Sequence, residues 1–275
     1  MFGTRLVSGI ILTIIAVATM YLGGPVLAGV LLLVSLCAFG ELTKALKVNT
    51  EEKKLNEAQI VGMVGTVCYY ACLYFVGSDT LNLMCIVGVF MAEMFLYVLR
   101  FSKYDSQKII SSIFAFLYGP VMLSFIYLTR DTQYGMYMVW LILLSSWGCD
   151  TCAYAVGMLI GKKKIFPVLS PKKSLEGCIG GVVGSGLLGG LYAYFMVDKV
   201  IAEQNVLWIV VFICAVGAVM SMVGDLAASA IKRNHNIKDY GKLIPGHGGI
   251  MDRFDSVIVT APMIYFLTVL MINNM

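Results

Sequence analysis

Residues 205–231 read NVLWIVVFICAVGAVMSMVGDLAASAI. From Val206 to Gly224 the run carries no charge, and then Asp225 opens a polar end. A span of the hydrocarbon core needs about twenty mostly apolar residues. An α-helix takes such a run across lipid with every backbone N–H and C=O bonded within the segment. This stretch therefore reads as a transmembrane helix that ends in polar side chains.

The rest of the chain repeats the pattern. Apolar runs at about 6–22, 25–40, 60–77, 80–99, 109–128, 135–157, 177–197 and 255–273 are each close to span length. Hydrophobic residues make up 59% of the 275 and charged residues only 13%, against about 25% charged in soluble domains. The expected fold is all-α: a polytopic integral membrane protein with about nine transmembrane helices. No stretch is polar enough to be a soluble domain, so 1–275 reads as a single membrane domain. Spans within 1–130 are of scaffold type, and 135–275 carries the polar loops and the chemistry. The first apolar run is too long for a signal peptide and lacks a small-x-small cleavage site, so a retained first span is expected. The 46–58 loop has the mixed charge of a short surface helix.

Eighteen of the twenty Lys and Arg fall on one set of flanks, and only Arg130 and Lys199 on the other. The basic set faces the cytoplasm. This places the N-terminus and residues 232–254 inside and the C-terminus outside, in a multi-pass protein of the cell membrane whose site faces the cytoplasm. Six of the eight cysteines (37, 68, 72, 85, 178 and 214) lie in apolar runs, where a free thiol behaves as a small hydrophobe. Cys149 and Cys152 lack the partner pair and nearby His that a zinc or redox site requires.

Between the last two spans lies DLAASAIKRNHNIKDYGKLIPGHGGIMDRFD, residues 225–255. It holds Asp225, Asp239, Asp252 and Asp255, five Lys/Arg and both histidines of the protein. Asp225, Ser229 and Lys232 recur at i, i+4 and i+7, one helix face. Asp252 and Asp255, at i and i+3, share a face if the last helix begins near Met251. Alternating acids and bases beside a Pro-Gly-His-Gly-Gly turn suit a polyanion handled with a hard divalent cation. Magnesium takes one or two carboxylates plus substrate phosphates.

Elsewhere, ionisable groups inside spans are costly and read as functional by default. Glu93 sits mid-span without an evident partner, and a structural role suits it as well as a chemical one. Asp150, Tyr154, Gly157 and Gly161 fall on one helix face, which either packs closely or lines a polar cavity. The loop before the seventh span holds Lys162 to Lys164, a lipid-facing run, and then Ser170-Pro171-Lys172-Lys173-Ser174-Leu175-Glu176-Gly177, a turn suited to phosphate. Both a Walker-type phosphate loop and a Rossmann fingerprint are absent.

The pattern Ser229-x-x-Lys232-Arg233-x(4)-Lys238-Asp239-x(5)-Pro245-Gly246-His247-Gly248-Gly249-x-x-Asp252-Arg253-x-Asp255 resembles the signature of the phosphatidate cytidylyltransferases, or CDP-diacylglycerol synthases. Asp150-Thr151-x-Ala153-Tyr154-x-x-Gly157 and Ser170-Pro171-Lys172-Lys173-Ser174-x-Glu176-Gly177 also fit. The family usually has Thr where this chain has Ser174, which keeps the hydroxyl. These motifs cover about the last half of the chain, and the first five spans match only in hydropathy.

The resemblance implies transfer of CMP from CTP to phosphatidic acid, giving CDP-diacylglycerol and pyrophosphate, with Mg2+ and sometimes K+. It implies Asp225 and Asp252 as metal acids, with Asp255 and Asp239 in support. Lys172, Lys173, Lys232, Arg233, Lys238 and Arg253 would offset the repulsion of two anions. Ser174, Ser229, Asp150 and Tyr154 would line the substrate site, and His247 either bonds a phosphate or holds the glycine turn. A homodimer and a cavity open to water and lipid are further expectations; no nucleic-acid partner is. Two rivals use the same residues: a polyprenol kinase fed by CTP, and a transporter with ion-binding acids. Weak symmetry of the two halves and matched broken helices would favour the transporter, and neither is found.

Overall fold

The computed structural model describes residues 2–49, 54–201, 205–244, 246 and 248–273. His247 and Pro245 lie outside the described residues. Among the described residues there are nine helices and no strand. They are α1 (Phe2–Leu22), α2 (Gly24–Ala45), α3 (Glu57–Phe75), α4 (Asp79–Leu99), α5 (Ser106–Arg130), α6 (Gly135–Ile160), α7 (Leu175–Val197), α8 (Val206–Asn234) and α9 (Met251–Ile272). Eight of them, α2 to α9, are long and apolar enough to cross a membrane, and α1 carries a shorter apolar run, Val7–Leu22. The chain is a multi-pass, all-helical membrane protein. Of the 46–58 loop, the described residues before α3 form no helix: Leu46–Asn49 form a turn with Lys47 at φ 56°, and residues 50–53 lie outside the described set.

The chain divides into two compact units. The first comprises residues 1–124 and 235–253. In it α3 starts with a capping box: Gln59 N donates to Asn56 Oδ1 (2.8 Å) and Asn56 N to Gln59 Oε1 (3.2 Å). This satisfies two donors that a helix start leaves without partners. Three pairs of polar side chains meet between buried helices, a contact favoured in lipid: Ser35 with Tyr70 (2.8 Å), Tyr69 with Ser124 (2.9 Å), and Ser112 Oγ donating to Glu93 Oε1 (2.8 Å). Glu93 thus has a partner on α5 that its sequence setting did not reveal. Outside the spans, burial and the bond to Glu57 push the Tyr104 phenol up to about 12.

The second unit comprises residues 125–234 and 254–275. Its centre is α7, which reads LEGCIGGVVGSGLLGGLY over its first eighteen residues. Glycine there lets neighbours approach to backbone distance. A Cβ on Gly180 would meet Val156 of α6, one on Gly184 would meet Cys152, and one on Gly189 would meet Cys214 of α8. Ser185 Oγ lies within bonding distance of the carbonyls of Leu144 (3.1 Å) and Cys214 (3.2 Å), tying α7 to both.

Four helices carry a π-helical turn among the described residues: Leu117–Val121 in α5, Leu144–Gly148 in α6, Ala193–Val197 in α7 and Val269–Asn273 at the end of α9. The first holds Pro120. A ring nitrogen without a hydrogen cannot make the i→i−4 bond, and a widened turn accommodates the defect. The turn in α6 lies immediately before Cys149–Ile160, the segment that carries Asp150.

Candidate active site

In the second unit a cavity of about 480 Å³ opens where α6, α7 and the loop between them meet. Asp150, Tyr154 and Gly157 of α6 line one side, and Ser174, Gly177 and Cys178 of α7 line another. Lys164, Ser170, Pro171, Lys172 and Lys173 supply the loop wall, and Met222 of α8 also lines it.

The loop is held by short-range bonds. The Glu176 carboxylate accepts Lys162 N (3.0 Å) and Lys163 N (3.2 Å) at the end of α6. Leu175 N donates to Lys163 O (2.8 Å), and Lys164 Nζ to Lys172 O (2.9 Å). Ser174 is the N-cap of α7: its Oγ accepts Gly177 N at 3.2 Å, in a residue only 3% exposed. The sequence Ser-Leu-Glu-Gly is thus a cap followed by a clamp on the preceding loop. It turns the start of α7, with the positive end of its dipole, into the cavity wall that also carries three lysines.

Lys173 Nζ lies 2.5 Å from Asp225 Oδ2, with the two side chains 20% and 28% exposed. Asp150 feels both the like charge of Asp225 and the opposite charge of Lys173. The site therefore has two acids and a lysine in electrostatic contact. Gly224, next to Asp225, brings α8 against α9: a Cβ there would lie 2.6 Å from Asp255 O. Asp255 Oδ1 accepts Ser256 N (2.9 Å). Ser229 and Lys232 are half-buried further along α8, Arg233 is exposed, and none of the three lines the cavity.

The first unit holds the other predicted residues. Asp252, 7% exposed, accepts Tyr240 N (2.8 Å) and Gly249 N (3.0 Å) through Oδ2. Ile244 N donates to Gly248 O (2.9 Å), closing the turn. Gly246 and Gly248 have φ of 78° and 87°, a region costly for any residue with a Cβ. Lys238, Asp239 and Arg253 are exposed. The sequence reading missed Glu41, on α2, whose carboxylate accepts Ile250 N (3.0 Å) and Met251 N (2.9 Å). Its only local signal is an acid at the end of an apolar run.

Among the described residues, no three His, Cys, Asp or Glu gather as a metal cage. Asp150 on the cavity wall and Asp225, paired with Lys173 of that wall, are two carboxylates that suit a hard divalent cation keeping water and phosphate oxygens as its remaining ligands. They do not suit a soft metal, which would need thiolates or imidazoles.

Fold and site define a multi-pass helical membrane protein with an acid-and-lysine cavity suited to phosphate groups. The sequence model of the Cytidylyltransferase family matches residues 3–271. The chain belongs to that family. It is 37% identical over 170 residues to a Staphylococcus saprophyticus protein named phosphatidate cytidylyltransferase, covering 62% of each chain. A Haemophilus influenzae protein of that name is 34% identical over 152 residues, covering 55% of this chain and 52% of the relative. One from Bacillus subtilis is 28% identical over 248 residues, covering 79% of this chain and 90% of the relative. The match to the Staphylococcus relative thus spans about 62% of its length.

Proposed function

We propose that the protein is a phosphatidate cytidylyltransferase, transferring CMP from CTP to phosphatidic acid with release of pyrophosphate. The observation that carries the reading is a cavity lined by Lys173, Asp150 and the start of α7, with Asp225 paired to its Lys173. The names of the relatives supply the substrates.

Phosphatidate is already an anionic nucleophile near neutral pH, so the chain need not supply a strong base. The chemical problem is to bring two anions together. Lys172, Lys173 and the N-terminus of α7 offset that repulsion and hold phosphate oxygens at the cavity wall. Asp225 and Asp150 would hold Mg2+, which when bound neutralises phosphate charge and stabilises the leaving pyrophosphate. A phosphatidate oxygen attacks the α-phosphorus in line; the bond to the β-phosphate oxygen breaks, and no covalent enzyme intermediate forms. Catalysis of this kind rests on positioning and charge neutralisation. The resemblance also implies Asp252 as a metal acid and K+ as a companion ion.

The test is purified protein in detergent with phosphatidic acid, Mg2+ and CTP labelled at either the α- or the γ-phosphate. Label from the α-phosphate should enter the lipid, and label from the γ-phosphate should leave as pyrophosphate. Lipid labelled from the γ-phosphate would instead identify a lipid kinase. Asp225→Asn and Asp252→Asn, assayed separately, should each lose nearly all turnover while staying folded, and wild-type turnover in either would remove that residue from the metal assignment.

A further inference from the structure

Glu41 lies in the last turn but one of α2, over two hundred residues away in sequence from the groups that it binds. Its Oε1 accepts Ile250 N and its Oε2 accepts Met251 N. Met251 is the first residue of α9, and the first N–H groups of a helix have no partner inside it. A carboxylate satisfies them and meets the positive end of the dipole. The same carboxylate fills the space beside two glycines: a Cβ on Gly249 would overlap both of its oxygens, and one on Gly241 would overlap Oε1. Gly249 in turn donates its N–H to Asp252 Oδ2. One glycine is therefore held on one side by Glu41 and bonded on the other to Asp252.

We propose that Glu41 is a positioning residue of the reaction. It fixes the 240–252 turn and, through Gly249 and the first turn of α9, sets the carboxylate of Asp252. The inference rests on the reading that Asp252 serves cytidylyl transfer. A helix cap alone would alter stability and leave the chemistry of the folded protein unchanged. A positioning group changes turnover more than substrate binding, because a small displacement of a catalytic group costs far more in rate than in affinity.

The test uses full-length protein in detergent micelles: wild type, Glu41→Gln and Glu41→Ala, each with and without Gly249→Ala. Glu41→Gln keeps the shape and one acceptor, so it should fold. Its kcat should fall at least about tenfold with KM for CTP within about threefold. Hydrogen exchange should rise in peptides covering 240–252 and not in α3. Gly249→Ala should lower turnover strongly in wild type and much less beside Glu41→Ala, where the obstructing carboxylate is gone.

Wild-type kcat and wild-type exchange in Glu41→Gln would overturn the proposal. So would independent, additive effects of Glu41→Ala and Gly249→Ala. Wild-type protein that transfers no CMP would overturn the proposed function instead. Exchange at 240–252 and the coupling measured by unfolding temperature would then still decide whether Glu41 holds the turn.

Discussion

Lys173 Nζ and Asp225 Oδ2, 2.5 Å apart, join the loop before α7 to the polar end of α8. Both side chains are less than a third exposed, at 20% and 28%. An ion pair in such a setting is screened less by salt than one on the surface. Lys173→Met would leave Asp225 without this partner. The expected result is a loss of stability of about 1–2 kcal/mol and a fall in turnover of about 100-fold, as for other single stabilising donors. Thermal unfolding and the labelled-CTP assay check the two parts. An unchanged turnover number would show that Lys173 acts only as a structural tether.

Removal of divalent cations should stop the reaction. With EDTA in excess the labelled lipid should disappear, and added Mg2+ should restore it. In Asp150→Asn the Mg2+ concentration for half-maximal rate should rise, since Asp150 shares the field of Asp225 and Lys173. A Mg2+ titration identical to wild type would remove Asp150 from the metal site.

Glu176 restrains a lysine-rich loop by accepting Lys162 N and Lys163 N. In Glu176→Ala those bonds are gone, and the peptide bonds after Lys162, Lys163 and Lys164 become easier to open locally. Trypsin should nick folded Glu176→Ala in this loop several times faster than wild type. KM for CTP should rise, because Lys172 and Lys173 lose their fixed place.

A methyl group at Gly177 has no room. A Cβ there would sit 2.9 Å from Ala153 O and 3.2 Å from Gly157 Cα, so α6 and α7 must separate or twist. Overpacking of this kind costs about 1–3 kcal/mol. Gly177→Ala should lower the unfolding temperature in detergent by several degrees and reduce turnover. Gly29→Ala, where a Cβ meets nothing within 4 Å, should leave both near wild type.

The distribution of Lys and Arg predicts the orientation. A reporter that is active only outside the cell, fused after Met275, should be active, and one fused in the 162–173 loop should not. The reverse pattern would overturn the assignment of the cavity to the cytoplasmic side.

The class of fold was legible in the sequence because lipid leaves the backbone so little choice: apolar runs of span length become helices, and their limits follow from Pro, Gly and charge. The helix face of Asp150, Tyr154 and Gly157 was legible too, since spacing alone fixes it, and the structure puts all three on one cavity wall. The restraint of the 161–174 loop was harder to read. It depends on one carboxylate, Glu176, reaching back to two N–H groups, and a lysine-rich loop without it would look the same. Glu41 could not be assigned from sequence at all, because its partners are backbone groups of residues 250 and 251, which carry no side-chain signature. The π turns were invisible for a similar reason: a shifted hydrogen bond follows from packing around the helix and leaves the residue pattern apolar.

The widened turn at Leu144–Gly148 amounts to one residue inserted into α6 just ahead of Asp150. Each residue of an α-helix advances the chain by about 100° around its axis. The widened turn takes up that advance, so deleting a single residue there would restore an ordinary helix and keep Asp150, Tyr154 and Gly157 on the same face. A single-residue deletion in an ordinary turn has no such slack and rotates everything beyond it by about that angle. Relatives of this protein that lack one residue between the start of α6 and Asp150 should therefore lack the widened turn and keep Asp150 on the same face.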